Sequence, residues 1–168
     1  LKSHHRIRVA APAEGGSHEL TPREAAILGW IVTDGTVFWH RIQPSQTQAF
    51  IYQSKPRMVS VLRAMFGDDA IERVDPRPST MLRGRRLSRR HPSIRFYLKK
   101  KLLWPLFKRA GFTGADSLLD IIPHLTADAR AAMFLAMRQA EGEQAWAQNP
   151  GPVLEAFMLL ATLEGYRL

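Results

Sequence analysis

Two nine-residue stretches, Ile27–Gly35 (ILGWIVTDG) and Phe134–Gly142 (FLAMRQAEG), limit what this chain can fold into. Each opens on apolar residues, carries a small residue in third place (Gly29, Ala136), and ends on an acid followed by glycine. The sequence beyond them also matches. Phe50-Ile51-Tyr52-Gln53 precedes a segment opened by Pro56, and Ala145-Trp146-Ala147-Gln148 precedes one opened by Pro152. A weak repeat of this kind predicts two halves related by a pseudo-two-fold axis.

The local signals agree on an α+β chain. Thr21-Pro22-Arg23-Glu24 reads as the start of a helix, with Thr21 as N-cap, proline where no N–H is needed, and Glu24 completing a capping box; Gly35 is its natural stop. From Thr36 the pattern turns β-rich, in VFWHRIQ and QTQAFIYQ. Pro56 opens a second helix whose Met58, Val61, Leu62 and Met65 recur at helical spacing, closed by Gly67. AIERV, STMLRG and IRFYL read as further strands, and RRLSRRHP as a loop too charged for the core. A helix follows from about Lys99, kinked or broken at Pro105. Then come a short helix SLLDII, Pro123, and a long helix from Thr126 to Glu141. The expected segments are 1–18, a strand and linker; 19–112, the first repeat; and 113–168, the second.

Charge narrows the partners. The 168 residues carry a formal +9, with a pI near 10.6, and no acid occurs between Asp75 and Asp116. That stretch holds Arg77, Arg83, Arg85, Arg86, Arg89, Arg90, Arg95, Lys99, Lys100, Lys101, Lys108 and Arg109. Solvated surfaces usually mix signs, so a long one-sign segment points to a polyanion. No apolar run approaches the roughly 18 residues of a membrane span, LKSHHRIRV is no signal peptide, and no cysteine is present. The expectation is a cytoplasmic, reducing setting. No GxxxxGK[ST], HExxH or nucleophile elbow occurs. His4 and His5 are adjacent and would point opposite ways on a strand. Trp30, Trp39, Trp104 and Trp146 read as core.

ILGWIVTDG resembles, position for position, the LAGLIDADG motif of homing endonucleases, and FLAMRQAEG is similar to a degenerate second copy. The helix–hairpin–helix–hairpin order, Ile121–Pro123 ahead of the second motif, and the ending LLATLEGYR resemble the endonuclease domains carried within inteins. LKSHHRIRV is similar to a stretch of the intein splicing fold. The resemblance spans about residues 19–168. It implies two αββαββα-type halves and a site-specific endonuclease acting on double-stranded DNA as a monomer. It further implies two helices that cross closely with the small Gly29 and Ala136 at the contact, Leu28 and Leu135 packed around it and Asp34 and Glu141 meeting at its foot, and Mg²⁺ or another divalent cation on Asp34 and Glu141 beside Gly35, with Gln53 near that centre. Two carboxylates about 4 Å apart repel by about 1 kcal/mol in water and about 4 at an effective dielectric of 20. A divalent cation relieves that repulsion, and hard oxygen ligands suit Mg²⁺.

On such a fold the hairpins supply the DNA surface. Their polar set, His40, Arg41, Gln43, Gln46, Gln48, Tyr52 and Lys55, suits base edges in the major groove. Arg83, Arg85, Arg86 and Arg95 would serve bases or phosphates, and Lys99, Lys100 and Lys101 phosphates. Neutralising about eight phosphates would give a log–log salt slope of about −7.

The pattern also departs from the family. Asp120 stands where a lysine is often found before the IIP-like turn, and Glu141 to Gln148 leaves room for one strand where Asp34 to Gln53 leaves room for two. The second half is thus expected to be incomplete unless a partner chain completes it. No starting Cys or Ser and no terminal His-Asn is present for protein splicing. A DNA-binding module of the same fold that does not cut is the alternative, and an RNA-binding domain using the basic strip is a third.

Overall fold

The computed structural model describes residues 20–75, 79–82, 85–88, 92–141 and 149–166, with 79–82 and 85–88 described by their backbone. The fold is α+β. In chain order its elements are α1 (Pro22–Asp34), β1 (Gly35–Phe38), β2 (Gln48–Gln53), α2 (Pro56–Phe66), β3 (Ala70–Asp75), β4 (Ser79–Leu82), β5 (Arg85–Ser88) and β6 (Ser93–Leu98). Helices α3 (Lys100–Ala110), α4 (Leu118–Ile121), α5 (Ala127–Glu141) and α6 (Pro152–Leu163) follow. No helix of the described residues is long and apolar enough to cross a membrane.

Helix α1 starts as its sequence dictates. Glu24 N–H donates to Thr21 Oγ1 at 3.2 Å while Thr21 N–H donates to Glu24 Oε2 at 3.0 Å, the reciprocal pair of a capping box. Its end differs from the expected cap. Gly35 is extended, at φ −99° and ψ 167°, and begins β1 directly. Glycine is needed there for room, because a Cβ would lie 2.3 Å from the Ile31 carbonyl oxygen.

Strand β1 pairs antiparallel with β2, β2 with β6, and β6 with β3, giving the order β1-β2-β6-β3. The registers Gly35↔Ile51, Phe50↔Tyr97 and Ile71↔Tyr97 sort the side chains by face. Ala49, Ile51, Gln53, Ile94, Phe96 and Leu98 turn inward and are buried. Phe66 of α2 lies 5.9 Å from Phe96, ring to ring, and α1 packs against β2. Burying a side chain of the size of Ile51 or Phe96 contributes about 1.5–3 kcal/mol. One apolar core runs from Leu20 through Ala161 and takes in residues of both expected repeats.

Three local expectations need correction. The strand expected over 37–43 ends at Phe38. Trp39 leaves the sheet to stack on Phe107 (5.3 Å) and Phe112 (6.0 Å), and residues 40–47 fold into a loop of their own. In that loop Gln43 N–H donates to His40 Nδ1 at 2.9 Å, and His40 N–H donates to Thr47 Oγ1 at 3.3 Å. The charged stretch read as a loop contains β5, which pairs with β4 from Ser79↔Ser88 to Leu82↔Arg85. A two-stranded ribbon can be solvated on both sides, so charge does not exclude a strand. Lastly, the helix expected to be kinked or broken at Pro105 is not broken there: α3 continues through it to Ala110. The N–H that proline lacks would have met the carbonyl of Lys101, a residue open to water.

Among the described residues every strand precedes Lys99, and residues 113–166 contribute helices only. The single strand expected after Glu141 and the strand expected within 1–18 fall outside the described residues.

Candidate functional site

Helices α1 and α5 form the most extensive helix–helix contact among the described elements. They meet where the small residues lie. A Cβ on Gly29 would stand 2.9 Å from the Met133 carbonyl oxygen and 3.2 Å from Ala136 Cβ, so glycine permits an approach that alanine would obstruct. Leu28 is fully buried at this crossing, but Leu135 is 53% exposed. The expected packing of Leu135 is therefore corrected. Helix α5 buries a stripe of Ala129, Arg130, Met133, Phe134, Ala136, Met137 and Ala140, and position 135 falls off it.

The crossing delivers two carboxylates together, because Asp34 is the last residue of α1 and Glu141 the last of α5. The Asp34 carboxyl is pushed up from 3.8 to about 6. Burial is the main cause and the negative charge of Glu141 adds to it, opposed by Lys55 and by the Gln53 hydrogen bond. Gln53, 3% exposed at the end of β2, donates from Nε2 to Asp34 Oδ2 at 2.9 Å. Its Oε1 accepts from the backbone N–H groups of Ser54 and Lys55, both at 2.9 Å. These bonds fix which end of the amide faces Asp34. Lys55 Nζ donates to the Ala140 carbonyl at 3.1 Å, joining the β2–α2 corner to the last turn of α5. Lys55, expected on DNA, thus stands at the carboxylate pair. Nothing in its sequence neighbourhood announced that, since the partner lies 85 residues away. Gly35 adjoins Asp34 at the helix–strand junction, and Asp120 is exposed on α4.

The residues expected to contact DNA are dispersed. His40, Arg41, Gln43 and Gln46 lie exposed on the 40–47 loop instead of alternating along a strand. The Gln46 side chain accepts a hydrogen bond from Lys100. Gln48 and Tyr52 are on the outer sheet face, and Lys99 precedes α3. Arg83 and the side chains of Arg85 and Arg86 lie outside the described residues. The basic stretch is also less one-signed in space than in sequence. Arg95 pairs with Asp75 (3.1 Å), Lys101 with Asp69 (3.1 Å), and Arg109 with Glu24. Arg23 joins Asp69 at 2.7 Å, and with Lys101 it holds that carboxyl below its usual range.

The outer face of the sheet was only partly foreseen. Phe50 stands 5.8 Å from Phe38 and 5.5 Å from Tyr97, ring to ring. The Arg95 guanidinium lies 5.3 Å from the Phe50 ring and 5.9 Å from Tyr52, and that of Arg73 lies 5.3 Å from Tyr97. A strict period-two reading of QAFIYQ and SIRFYL, with Ile51 and Phe96 inward, would have found Phe50, Tyr52, Arg95 and Tyr97 together. Of the tryptophans, Trp30 is fully buried, Trp104 is half-buried, Trp39 is 44% exposed, and Trp146 is outside the described residues.

Among the described residues no group of three or more His, Cys, Asp or Glu comes together as a metal cluster; the acidic centre is a pair. Comparison with protein-family models, with curated proteins and with solved structures returned no match to this chain.

Proposed function

We propose that this chain is a divalent-metal-dependent nuclease that hydrolyses DNA phosphodiesters at Asp34 and Glu141, with the fold and site plan of the LAGLIDADG homing endonucleases that its motifs resemble. One observation carries this reading: the two motif helices cross at Gly29 and Ala136 and end on two carboxylates, where burial first and the negative charge of Glu141 second push Asp34 up to about 6. The pair is half-buried, and Asp34 is held well above the ordinary carboxylate range, an arrangement typical of functional sites.

The donor set fits Mg²⁺. Two carboxylates are hard oxygen ligands, and Mg²⁺ is commonly held by one or two carboxylates together with water and substrate phosphate. Asp34 and Glu141 would hold it, and when bound it supplies an acidified water and charge withdrawal from the phosphate. The chain's own residues prepare the site. Gln53 orients the Asp34 carboxylate, and Lys55 adds a positive charge that favours its ionised form.

The test is cleavage of a plasmid library with Mg²⁺, run beside Asp34→Asn and Glu141→Gln. Nicked or linear products from the parent chain, lost in both variants, support the reading; no product from any DNA removes it. A second reading is a DNA-binding module of this fold that does not cut. It is favoured by the absence, among the described residues, of a third acidic or histidine ligand at the pair. Salt-sensitive DNA binding without cleavage would select it.

A further inference from the structure

The outer face of the sheet is unlike a surface built to read base edges. Base-edge recognition in a duplex groove uses amide, guanidinium and carboxylate groups that project freely. Here the two central strands present rings. One row across the sheet runs Thr36, Phe50, Tyr97, Ile71, and the next runs Tyr52, Arg95, Arg73. Phe38 extends the aromatic run at the β1 edge and is 56% exposed. Ile71 is 51% exposed at the opposite edge. The guanidinium of Arg95 is held by Asp75, whose side chain is only 5% exposed, so that arginine is fixed against Phe50 and Tyr52 instead of projecting into water.

We propose that this face is a stacking platform for a single strand of nucleic acid, with unpaired bases lying on Phe38, Phe50, Tyr52 and Tyr97 and phosphates drawn to Arg73. Aromatic rings on a four-stranded sheet bind unpaired bases because every base offers a π-face, whereas a paired base keeps its face inside the helix stack. Charge favours the same ligand. The face's one acid, Asp75, lies beneath Arg95, and the connection between β3 and β6 carries six arginines in its sequence, Arg77, Arg83, Arg85, Arg86, Arg89 and Arg90. The inference takes from the nuclease reading only that the ligand is nucleic acid.

The experiment is fluorescence anisotropy in EDTA at 0.15 M KCl, with labelled dU20, U20 and a 20-base-pair duplex. Both single strands are expected to bind at least about tenfold tighter than the duplex, and the stronger of the two identifies the preferred sugar. The double variant Phe50→Leu/Tyr97→Leu keeps apolar volume and removes two rings, and should weaken strand binding by about tenfold or more, on the scale of base–aromatic stacking. Phe38→Ala, at an exposed edge position, tests the same claim with no burden on folding and should weaken it several-fold. Duplex binding as tight as strand binding overturns the platform. So does strand affinity unchanged in Phe38→Ala, or a dimer in sedimentation that protects these rings from a quencher. The two readings fail separately. Strand binding with no Mg²⁺-dependent cleavage ends the nuclease and leaves the platform, while duplex cleavage lost in Asp34→Asn, with ring variants unaffected, does the reverse.

Discussion

Helices α1 and α5 carry the two copies of the apolar–small–acid–glycine pattern, and their surroundings differ. In α1 seven successive residues, Ala25–Ile31, are buried, because the helix lies between the sheet and its partner. In α5 burial follows one stripe, with Leu135 in water and α6 behind it. Both helices still deliver an acid to the same place. The pair shows that the crossing and its terminal carboxylates need only a small residue at one position and an acid five residues on, while the rest of each helix answers to whatever else it packs against.

The sharpest break of this comparison is chemical. On the proposed nuclease reading, Asp34→Asn and Glu141→Gln should each lower Mg²⁺-dependent cleavage by about 10³-fold or more, equivalent to about 4 kcal/mol of transition-state stabilisation. If the helices are equivalent in function despite their unlike burial, the two losses match within about tenfold. A Glu141→Gln protein that cuts normally would make α1 the working helix and α5 its support.

The next effects are on stability, measured by urea unfolding. Leu28→Ala removes a fully buried side chain and should cost about 2–5 kcal/mol. Leu135→Ala, at the matching place in α5, should change stability by less than about 0.5 kcal/mol. Gly29→Ala forces a methyl against the Met133 carbonyl and should cost about 1–3 kcal/mol. Equal losses for the two leucines would contradict the one-striped burial of α5.

This contrast also marks what was legible in the sequence. The capping box, the β2 and β6 strands and the proline-started helices follow from local pattern, because cap geometry and residue periodicity each act over a few residues, whereas the meeting of Asp34 with Glu141 was foreseen from the repeat and the family that its motifs resemble. Position 135 was not legible, since the pattern gives a residue's place in the motif and not what its face meets. Nor was Lys55 at the carboxylates, or the neutralisation of Arg95, Lys101 and Arg109 by Asp75, Asp69 and Glu24, because those partners are brought together only by the completed fold. The end of β1 at Phe38 was missed for a related reason. The aromatic surface of α3 and Phe112 captures Trp39, and sequence alternation cannot see that competitor.

A smaller effect concerns the protonation of Asp34. Since the Asp34 carboxyl titrates near 6 in the folded protein and 3.8 otherwise, the native state holds the proton more tightly between about pH 4 and 6. Asp34 therefore adds stability at low pH that is lost as pH rises through 6. Asp34→Asn should raise Tm at pH 7.5, by the equivalent of about 1 kcal/mol after solvent screening, and by less at pH 4.5. Differencing against the parent chain isolates this from groups such as Asp69, whose lowered pKa works in the opposite sense. A variant less stable than the parent at pH 7.5 would mean that the ionised carboxylate stabilises the fold.

The smallest shift expected is at Lys55, and it bears most directly on why the two helix ends stay together. Its ammonium donates to the Ala140 carbonyl at the end of α5, where a positive charge is favoured by the helix dipole, and it also lowers the cost of ionising Asp34 at the end of α1. One cation thus serves both tips. Lys55→Met keeps most of the aliphatic stem and removes the charge, so the Asp34 carboxyl should titrate above 6, as followed by carbon-13 carboxyl shifts against pH. Glu141→Gln should move it the other way, because the repelling charge is gone. Opposite displacements in the two variants would establish that Asp34 feels both neighbours across the helix crossing. A titration that neither variant moves would mean that burial alone sets it and that α5 plays no electrostatic part.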